Sequence, residues 1–379
     1  MKICLISYLG LYPTNIAYEG YGGEKIFSSV VEQLAERGHQ VTLVASEGSM
    51  VPKGGQLIVR NSLINEQLNP QKEYQNIYSP EVIKAMQDAD VVHDSSNFRF
   101  GAKWAKENNK PFISHMISQD SWNIRVPENI VAISPNHRQH IIHNSFGYQM
   151  LPFPPYVSNV RGIHVKDARV VRPDIDLDVW KPTSDYKKDD YWIWFSRCVP
   201  DKGLDDFIEI ARRCPDKKFK MFGAHHKSDH YQYWNETTEI HPVPYKDMIA
   251  ATPNIEVVEE AVNNNKLKID LISRAKAFIF PVGLRTFYAE AFGLVLLESL
   301  ACGTPVLTTP YGSAPDIIKH GKTGYICSDI ETFIERMGDI EAGKIKSEDC
   351  RKEAERYKKG TQAEEFLKIY QEVLSGVTW

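Results

Sequence analysis

The residues best placed to do chemistry in this chain are two carboxylates, Glu290 and Glu298, in the segment EAFGLVLLESLACGTP that runs from Glu290 to Pro305. If the whole segment is helical, a rise of about 1.5 Å per residue sets them up to roughly 12 Å apart along the axis. That is too far for an acid and base working on one bond, and it suits gripping the two ends of one elongated ligand. Between them, Phe292, Gly293, Leu294 and Val295 are expected to form the first helical turn, whose N–H groups and positive dipole end attract phosphate. Gly293 lets a ligand approach the backbone. A diphosphate at the helix start, with a sugar held by a carboxylate on either side, describes a nucleotide sugar. Leu294, Leu297, Leu300 and Ala301 also follow the spacing of a buried helix, a reading that leaves Glu290 unexplained.

Arg197 and Lys202 stand just past the apolar run YWIWFSR (Tyr191 to Arg197), across a turn that holds Pro200 and Gly203. Two fixed cations near a diphosphate neutralise charge gathering on a leaving group without a metal ion. By position alone they are ordinary surface charges. His93 and His115 close two apolar runs, DADVVHDSS and KPFISHMIS, and strand C-termini in open α/β sheets face the ligand crevice. His137, His140 and His143 drift around a helix with no carboxylate or cysteine beside them, which reads as a solvated face. His225, His226 and His230 have a weak zinc-like spacing in a loop. Asp174, Asp176 and Asp178 carry a D-x-D spacing that can hold a divalent metal, here just ahead of a charged linker, TSDYKKDD.

The elements that must position these groups are legible as alternating apolar runs and amphipathic stretches. KICLIS, a helix from about Glu24 to Arg37, and a strand from Val41 to Ala45 make a βαβ unit. Its glycine run, YGYGG, comes too late after the strand for a nicotinamide-type fingerprint. A second α/β series opens at Tyr191, continues through KKFKMFG, which ends at Gly223, and NIEVVE, and reaches a strand at Ala277 to Phe280. The chain closes on TQAEEFLKIYQEVL (Thr361 to Leu374), with Phe366, Ile369, Tyr370 and Val373 on one face.

At 379 residues the chain has the length of two domains. It is 42% hydrophobic and 25% charged, ordinary for a globular protein. A net charge of -4 argues against nucleic-acid binding through overall basicity. No run approaches the roughly 20 apolar residues of a membrane span, and MKICLISYLG lacks a cleavage region, so a cytoplasmic protein with at most peripheral membrane contact is expected. Six cysteines without paired spacing read as reduced, buried small hydrophobes.

The block from Ala275 to Ser328, with its E-x7-E pair, resembles the signature of retaining glycosyltransferases of family 4, the glycogen synthase-like group. The resemblance implies the α/β fold called GT-B, two Rossmann-like domains facing across a cleft. Residues 1–178 would form the acceptor-side domain, 179–358 the nucleotide-sugar domain, and 359–379 a helix packing back on the first. It also implies that Glu290 meets the transferred sugar and Glu298 the ribose. Ser196-Arg197 through Lys202-Gly203 matches the family's Arg and Lys motif, with Ser in place of the first Gly. Gly22 and Gly23 match its Gly-Gly pair, Gly223 the Gly near the nucleotide, and His115 a His that contacts the donor sugar. The implied activity is transfer of a hexose from a UDP- or GDP-type sugar to an acceptor hydroxyl, with retention, without metal and without a further cofactor. A GT-B epimerase and a catalytically retired binding or scaffold subunit are the alternatives. The usual Asn-Gly of the interdomain segment is absent, and GLRTFYAE (Gly283 to Glu290) is longer than the family's approach to the first Glu.

Overall fold

A computed structural model describes residues 1–7, 14, 22–60, 70–117, 125–143, 165–183, 185–223, 231–234, 240–243, 245–262, 264–286 and 288–379. The chain divides into two compact units. Unit 1 comprises residues 1–144, 155–174 and 360–379, and unit 2 comprises residues 145–154 and 175–359.

Unit 1 opens with β1 (Lys2–Ile6), α1 (Gly22–Glu36), β2 (Gln40–Ser46) and β3 (Gln56–Arg60). It continues with α2 (Pro70–Ile77), α3 (Pro80–Asp88), β4 (Val91–Asp94), α4 (Phe100–Glu107), β5 (Phe112–His115), β6 (Ile130–Ala132), α5 (Pro135–His143) and β7 (Arg169–Val170). The strands form one sheet in the order β3-β2-β1-β4-β5-β6-β7, with parallel pairing throughout. Continuous apolar runs such as KICLI have no polar face because helices cover both sides of a parallel sheet.

Unit 2 repeats the plan: β8 (Trp192–Phe195), α6 (Leu204–Arg213), β9 (Phe219–Phe222), a hairpin of β10 (Tyr231–Trp234) and β11 (Ile240–Val243), α7 (Tyr245–Ala250), β12 (Ile255–Val257), α8 (Asn265–Arg274) and β13 (Phe278–Phe280). Then follow α9 (Leu294–Ala301), β14 (Val306–Thr308), α10 (Ala314–Ile317), β15 (Gly324–Ile326), α11 (Ile330–Glu341) and α12 (Ser347–Ala354). Its sheet runs β12-β9-β8-β13-β14-β15, parallel at each pairing. The final helix, α13 (Thr361–Leu374), belongs to unit 1, where Phe366, Ile369, Tyr370 and Val373 pack with Ile3, Leu5, Phe27 and Ile113.

In both sheets the connection order reverses beside the first strand, between β1 and β4 and again between β8 and β13. Ligands of open α/β sheets bind outside the C-terminal strand ends at such a point. All six cysteines are free and buried.

The α5 histidines correct one expectation. His137 and His140 are buried; His137 accepts from the Ile133 amide at Nδ1, 3.3 Å away. Helix α5 turns this side toward unit 1's core and leaves His143 outside, so it is not a solvated face.

Candidate functional site

Unit 2's switch point gathers the charged candidates. Trp192–Phe195 is fully buried, and the chain leaving it makes a 3-10 turn at Pro200–Lys202 before α6 begins. Gly203 joins the two with φ +72°, and a Cβ there would lie 2.2 Å from the carbonyl oxygen of Pro281. Only glycine allows that approach. The segment after β8 is thereby pressed against the one after β13, where the Gly283 amide donates to the Asp201 carbonyl at 3.1 Å. Lys202 and Glu290, 88 positions apart, consequently form a direct ion pair. The Lys202 Nζ also stands 4.7 Å from the centre of the Tyr288 ring.

Lys202 is therefore not the surface cation its sequence position suggests: it is 6% exposed. Burial lowers its pKa, the Glu290 carboxylate opposes that, and the neighbouring Arg197 charge lowers it further. Burial likewise raises Asp201, against the charges of Lys202 and Arg197. Arg197, Asp201, Lys202 and Glu290 thus form one electrostatic cluster.

Glu290 is held by a second close approach. Gly312, at φ +64°, lies so near that a Cβ would be 2.3 Å from both the amide nitrogen and carbonyl oxygen of Glu290. The Ser313 amide donates to the Glu290 carbonyl at 2.8 Å, and its hydroxyl donates to the Phe292 carbonyl. This clamp places Glu290 in a bend outside the helix, which corrects the single-axis geometry. Helix α9 starts at Leu294; Gly293 is its cap at φ +83°. Phe292 is buried, with its ring edge-on to Tyr357 at 5.9 Å, so it is a packing residue rather than part of the first turn. The amides of Leu294 and Val295 belong to the first turn and have no partner within the helix.

Glu298 lies inside α9 and is buried. Its Oε2 is 3.4 Å from the Nζ of Lys268 on α8, an ion pair without hydrogen-bond geometry; among the described residues that oxygen accepts no hydrogen bond. Lys268 in turn lies 5.0 Å from the Trp180 ring centre. Each carboxylate of the pair thus has its own lysine. Lys268 gave no signal in the sequence, being joined to Glu298 only through the packing of two helices. Gly223 follows β9, where a Cβ would meet the Ser196 carbonyl at 2.1 Å, so it lets the segment carrying Arg197 pass. In the long approach to Glu290, Arg285 pairs with Asp206 of α6 at 2.6 Å.

The remaining candidates belong to unit 1. Gly22 and Gly23 occupy the first turn of α1, with Gly23 close to Ile117. His115 ends β5, fully buried, with its Nδ1 3.0 Å from His93 Nε2. Asp174 is occupied structurally: its carboxylate accepts from Gln33, Ser29 and the Gly360 amide at 2.8–3.1 Å. Asp176 caps its own turn by accepting from the Asp178 amide. His225, His226 and His230, like the glycine run before Gly22, lie outside the described residues.

Two parallel sheets, each with its own reversal point, make up the chain, and solved glycosyltransferase structures superpose over its whole length. The fold is GT-B. A glycosyltransferase involved in avilamycin A biosynthesis, AviGT4, superposes with a TM-score of 0.68 at 21% identity, covering 100% of this chain and 99% of that one. Alr3699/HepE of Anabaena, solved in complex with UDP-glucose, gives 0.63 at 15% identity and complete coverage of both chains. Residues 180–357 match the family described as glycosyl transferases group 1. The GDP-mannose-dependent alpha-(1-6)-phosphatidylinositol monomannoside mannosyltransferase of Mycolicibacterium smegmatis is 27% identical over 44% of this chain and 45% of its own length. The chain spans less than two thirds of the length of the curated relatives it matches. Among the described residues no helix is long and apolar enough to cross a membrane.

Proposed function

We propose that this protein is a retaining, metal-independent hexosyltransferase of the family 4 type, moving a sugar from a nucleoside-diphosphate sugar to an acceptor hydroxyl. The observation that carries the reading is the convergence of Arg197, Lys202 and Glu290 at unit 2's switch point. The diphosphate sits at the start of α9, with its charge met by Arg197, Lys202 and the first-turn amides. Glu298 takes the ribose hydroxyls and Glu290 the transferred sugar, while His115 hydrogen-bonds a substrate hydroxyl. Gly22 and Gly23 face the diphosphate or the acceptor.

Glu290 is engaged by Lys202, and no carboxylate is assigned as a nucleophile. The acceptor oxygen accordingly bonds to the anomeric carbon on the face from which the diphosphate leaves. The bond from that carbon to the phosphate oxygen breaks, and the leaving diphosphate oxygen takes the acceptor proton. The two cations stabilise the departing charge in place of a metal ion.

The matched proteins differ in donor: the Mycolicibacterium mannosyltransferase is GDP-mannose-dependent by name, and the Anabaena protein was solved with UDP-glucose. Both donor types therefore belong in the test. UDP- and GDP-sugars are screened by thermal shift, then incubated with acceptors in EDTA, and the anomer of the product is read by NMR. An α-linked product from an α-linked donor, formed in EDTA, is the expected result. An inverted product, or activity lost in EDTA and restored by Mg²⁺ or Mn²⁺, overturns the mechanism. Conversion of donor without acceptor into an isomeric nucleotide sugar identifies an epimerase instead.

A further inference from the structure

We propose that Tyr370 and His93 are positioning residues that hold His115 in its Nε2–H tautomer, making it an uncharged hydrogen-bond donor to a substrate oxygen. That final contact rests on the function proposed above; the tautomer does not. Three side chains from β4, β5 and α13 stand in line within unit 1. The Tyr370 hydroxyl is 2.7 Å from His93 Nδ1, and His93 Nε2 is 3.0 Å from His115 Nδ1. All three residues are fully buried. Phe366 packs against both imidazoles, with centroids 4.8 and 4.9 Å away, and Phe27 meets His93 edge-on at 5.3 Å. Those contacts fix the ring planes. At the far end of the line, the buried His115 Nε2 has no hydrogen-bond partner among the described residues.

A neutral imidazole carries one N–H and one lone pair, so each link in such a line needs one donor and one acceptor. Only two proton arrangements make both links. In the first, the phenol donates to His93 Nδ1, His93 Nε2–H donates to His115 Nδ1, and His115 presents Nε2–H. In the second, every bond is reversed: His93 Nδ1–H donates to the phenol oxygen, His115 Nδ1–H donates to His93, and His115 presents a bare lone pair. The reversed line also leaves the phenol proton without an acceptor, since His93 is the only described partner of that hydroxyl. A buried donor left unmade is costly. The first arrangement leaves one unsatisfied group, the outward Nε2–H, and the second leaves two.

The line keeps its protons across the working pH range. Burial, with the Arg99 charge, pushes His93 down to about 3. Burial, then His93, Arg99 and His137, pushes His115 well below its ordinary value. Tyr370 is raised well above 10 by burial. His115 consequently supplies a dipole rather than a charge, suited to a hydroxyl or phosphoryl oxygen and unsuited to abstracting a proton.

The test is two-bond ¹H–¹⁵N correlation on the full chain labelled at its histidine rings, with His115 assigned by the signal lost in His115→Gln. The parent is expected to show His115 wholly as Nε2–H. Tyr370→Phe keeps the ring and deletes the donor that orders the line, leaving both arrangements with equal numbers of unsatisfied groups. His115 should then become a mixture of tautomers, and donor kcat/KM should fall about twofold, the fraction of molecules lost to the wrong form. His115 as Nδ1–H in the parent, which needs no variant to observe, overturns the proposal. So does a pure Nε2–H signal in Tyr370→Phe, because a role in packing alone lowers Tm without moving the tautomer. The expected tautomers in a protein inactive toward every nucleotide sugar would uphold the relay and overturn the substrate contact.

Discussion

The two units share the order of six parallel strands, to which unit 1 adds β7 at one edge, and they differ in what they place at the point where the order reverses. At the C-terminal ends of β8 and β13, unit 2 collects charged groups: Arg197, Asp201, Lys202 and Glu290, with burial raising the pKa of Asp201 and lowering that of Lys202. Near the ends of β4 and β5, unit 1 places two neutral histidines in line with a phenol. Similar topology thus supports two electrostatic environments, one charged and one neutral. What separates them is a few residues per strand end, because the backbone plan leaves those positions free.

The sharpest way to break this difference is at Lys202. Lys202→Met should lower turnover by about 10²- to 10³-fold per folded molecule, the usual cost of deleting one group that meets developing charge. It should also cost about 3–5 kcal/mol of stability by leaving the largely buried Glu290 without its ion-pair partner. Lys202→Met with Glu290→Gln should recover most of that stability and none of the turnover. Calorimetric melting beside initial rates separates the two. A double variant as active as Glu290→Gln alone would remove Lys202 from the chemistry.

Unit 1 also holds buried carboxylates, and they sharpen the comparison by serving structure. Asp94 accepts from the Ser96 and Ala102 amides, and Glu73 of α2 from the Phe98 amide at 2.7 Å, so together they shape the turn from β4 into α4. Burial raises Glu73 to about 7, opposed by the Phe98 amide and the Arg99 charge and reinforced by Asp94. Between its ordinary 4.5 and about 7 the folded state therefore holds the extra proton, and stability falls as pH rises through that window. The full span corresponds to about 3 kcal/mol. Glu73→Gln keeps an acceptor and cannot ionise, so its stability relative to the parent should be greater at pH 8 than at pH 5. Urea denaturation at the two pH values measures this, and an equal difference at both would place Glu73 outside the titration.

Much of the fold was legible because buried parallel strands read as unbroken apolar runs and their helices as amphipathic ones: KICLI, FISH, WIWF and FKMF are all strands where expected. Arg197, Lys202 and Glu290 were each legible as candidates by type and spacing, whereas the ion pair between Lys202 and Glu290 was not. Nothing in EAFGLVLLES marks where the helix begins, since the clamp from Gly312 and Ser313 arrives from a later loop. Lys268 beside Glu298 and Tyr370 beside His93 were illegible for the same reason: each contact joins elements whose packing the local pattern does not encode. The burial of His137 and His140 defeated a reading from spacing, because histidine is polar by type and yet readily enclosed, as at His137, where Nδ1 meets the Ile133 amide.

Within unit 2, Glu298 and Glu290 should separate by ligand. Glu298→Gln should weaken the bare nucleoside diphosphate roughly ten- to hundredfold, the worth of charged hydrogen bonds to hydroxyls. Glu290→Gln should leave that binding nearly intact and damage transfer. Titration calorimetry with the diphosphate and then with the intact donor reads both. Equal weakening of the bare diphosphate by the two variants would remove the straddling arrangement.

The smallest effect is expected in unit 1. His115→Gln replaces a neutral ring donor with a neutral amide donor, and the bond at risk is of the uncharged kind, about 0.5–1.5 kcal/mol. That corresponds to at most about tenfold in kcat/KM, far below the loss at Lys202. The pH profile discriminates further. Because His115 is held well below its ordinary value by burial and by His93, Arg99 and His137, it stays neutral as pH moves from 5 to 9. The ratio of parent to variant kcat/KM should therefore be flat over that range. A ratio that climbs through the ordinary histidine range near 6.5 would mean that His115 acts through a change of charge. Unit 1 would then contribute proton chemistry as unit 2 contributes charge stabilisation, and the contrast between the two strand ends would fail.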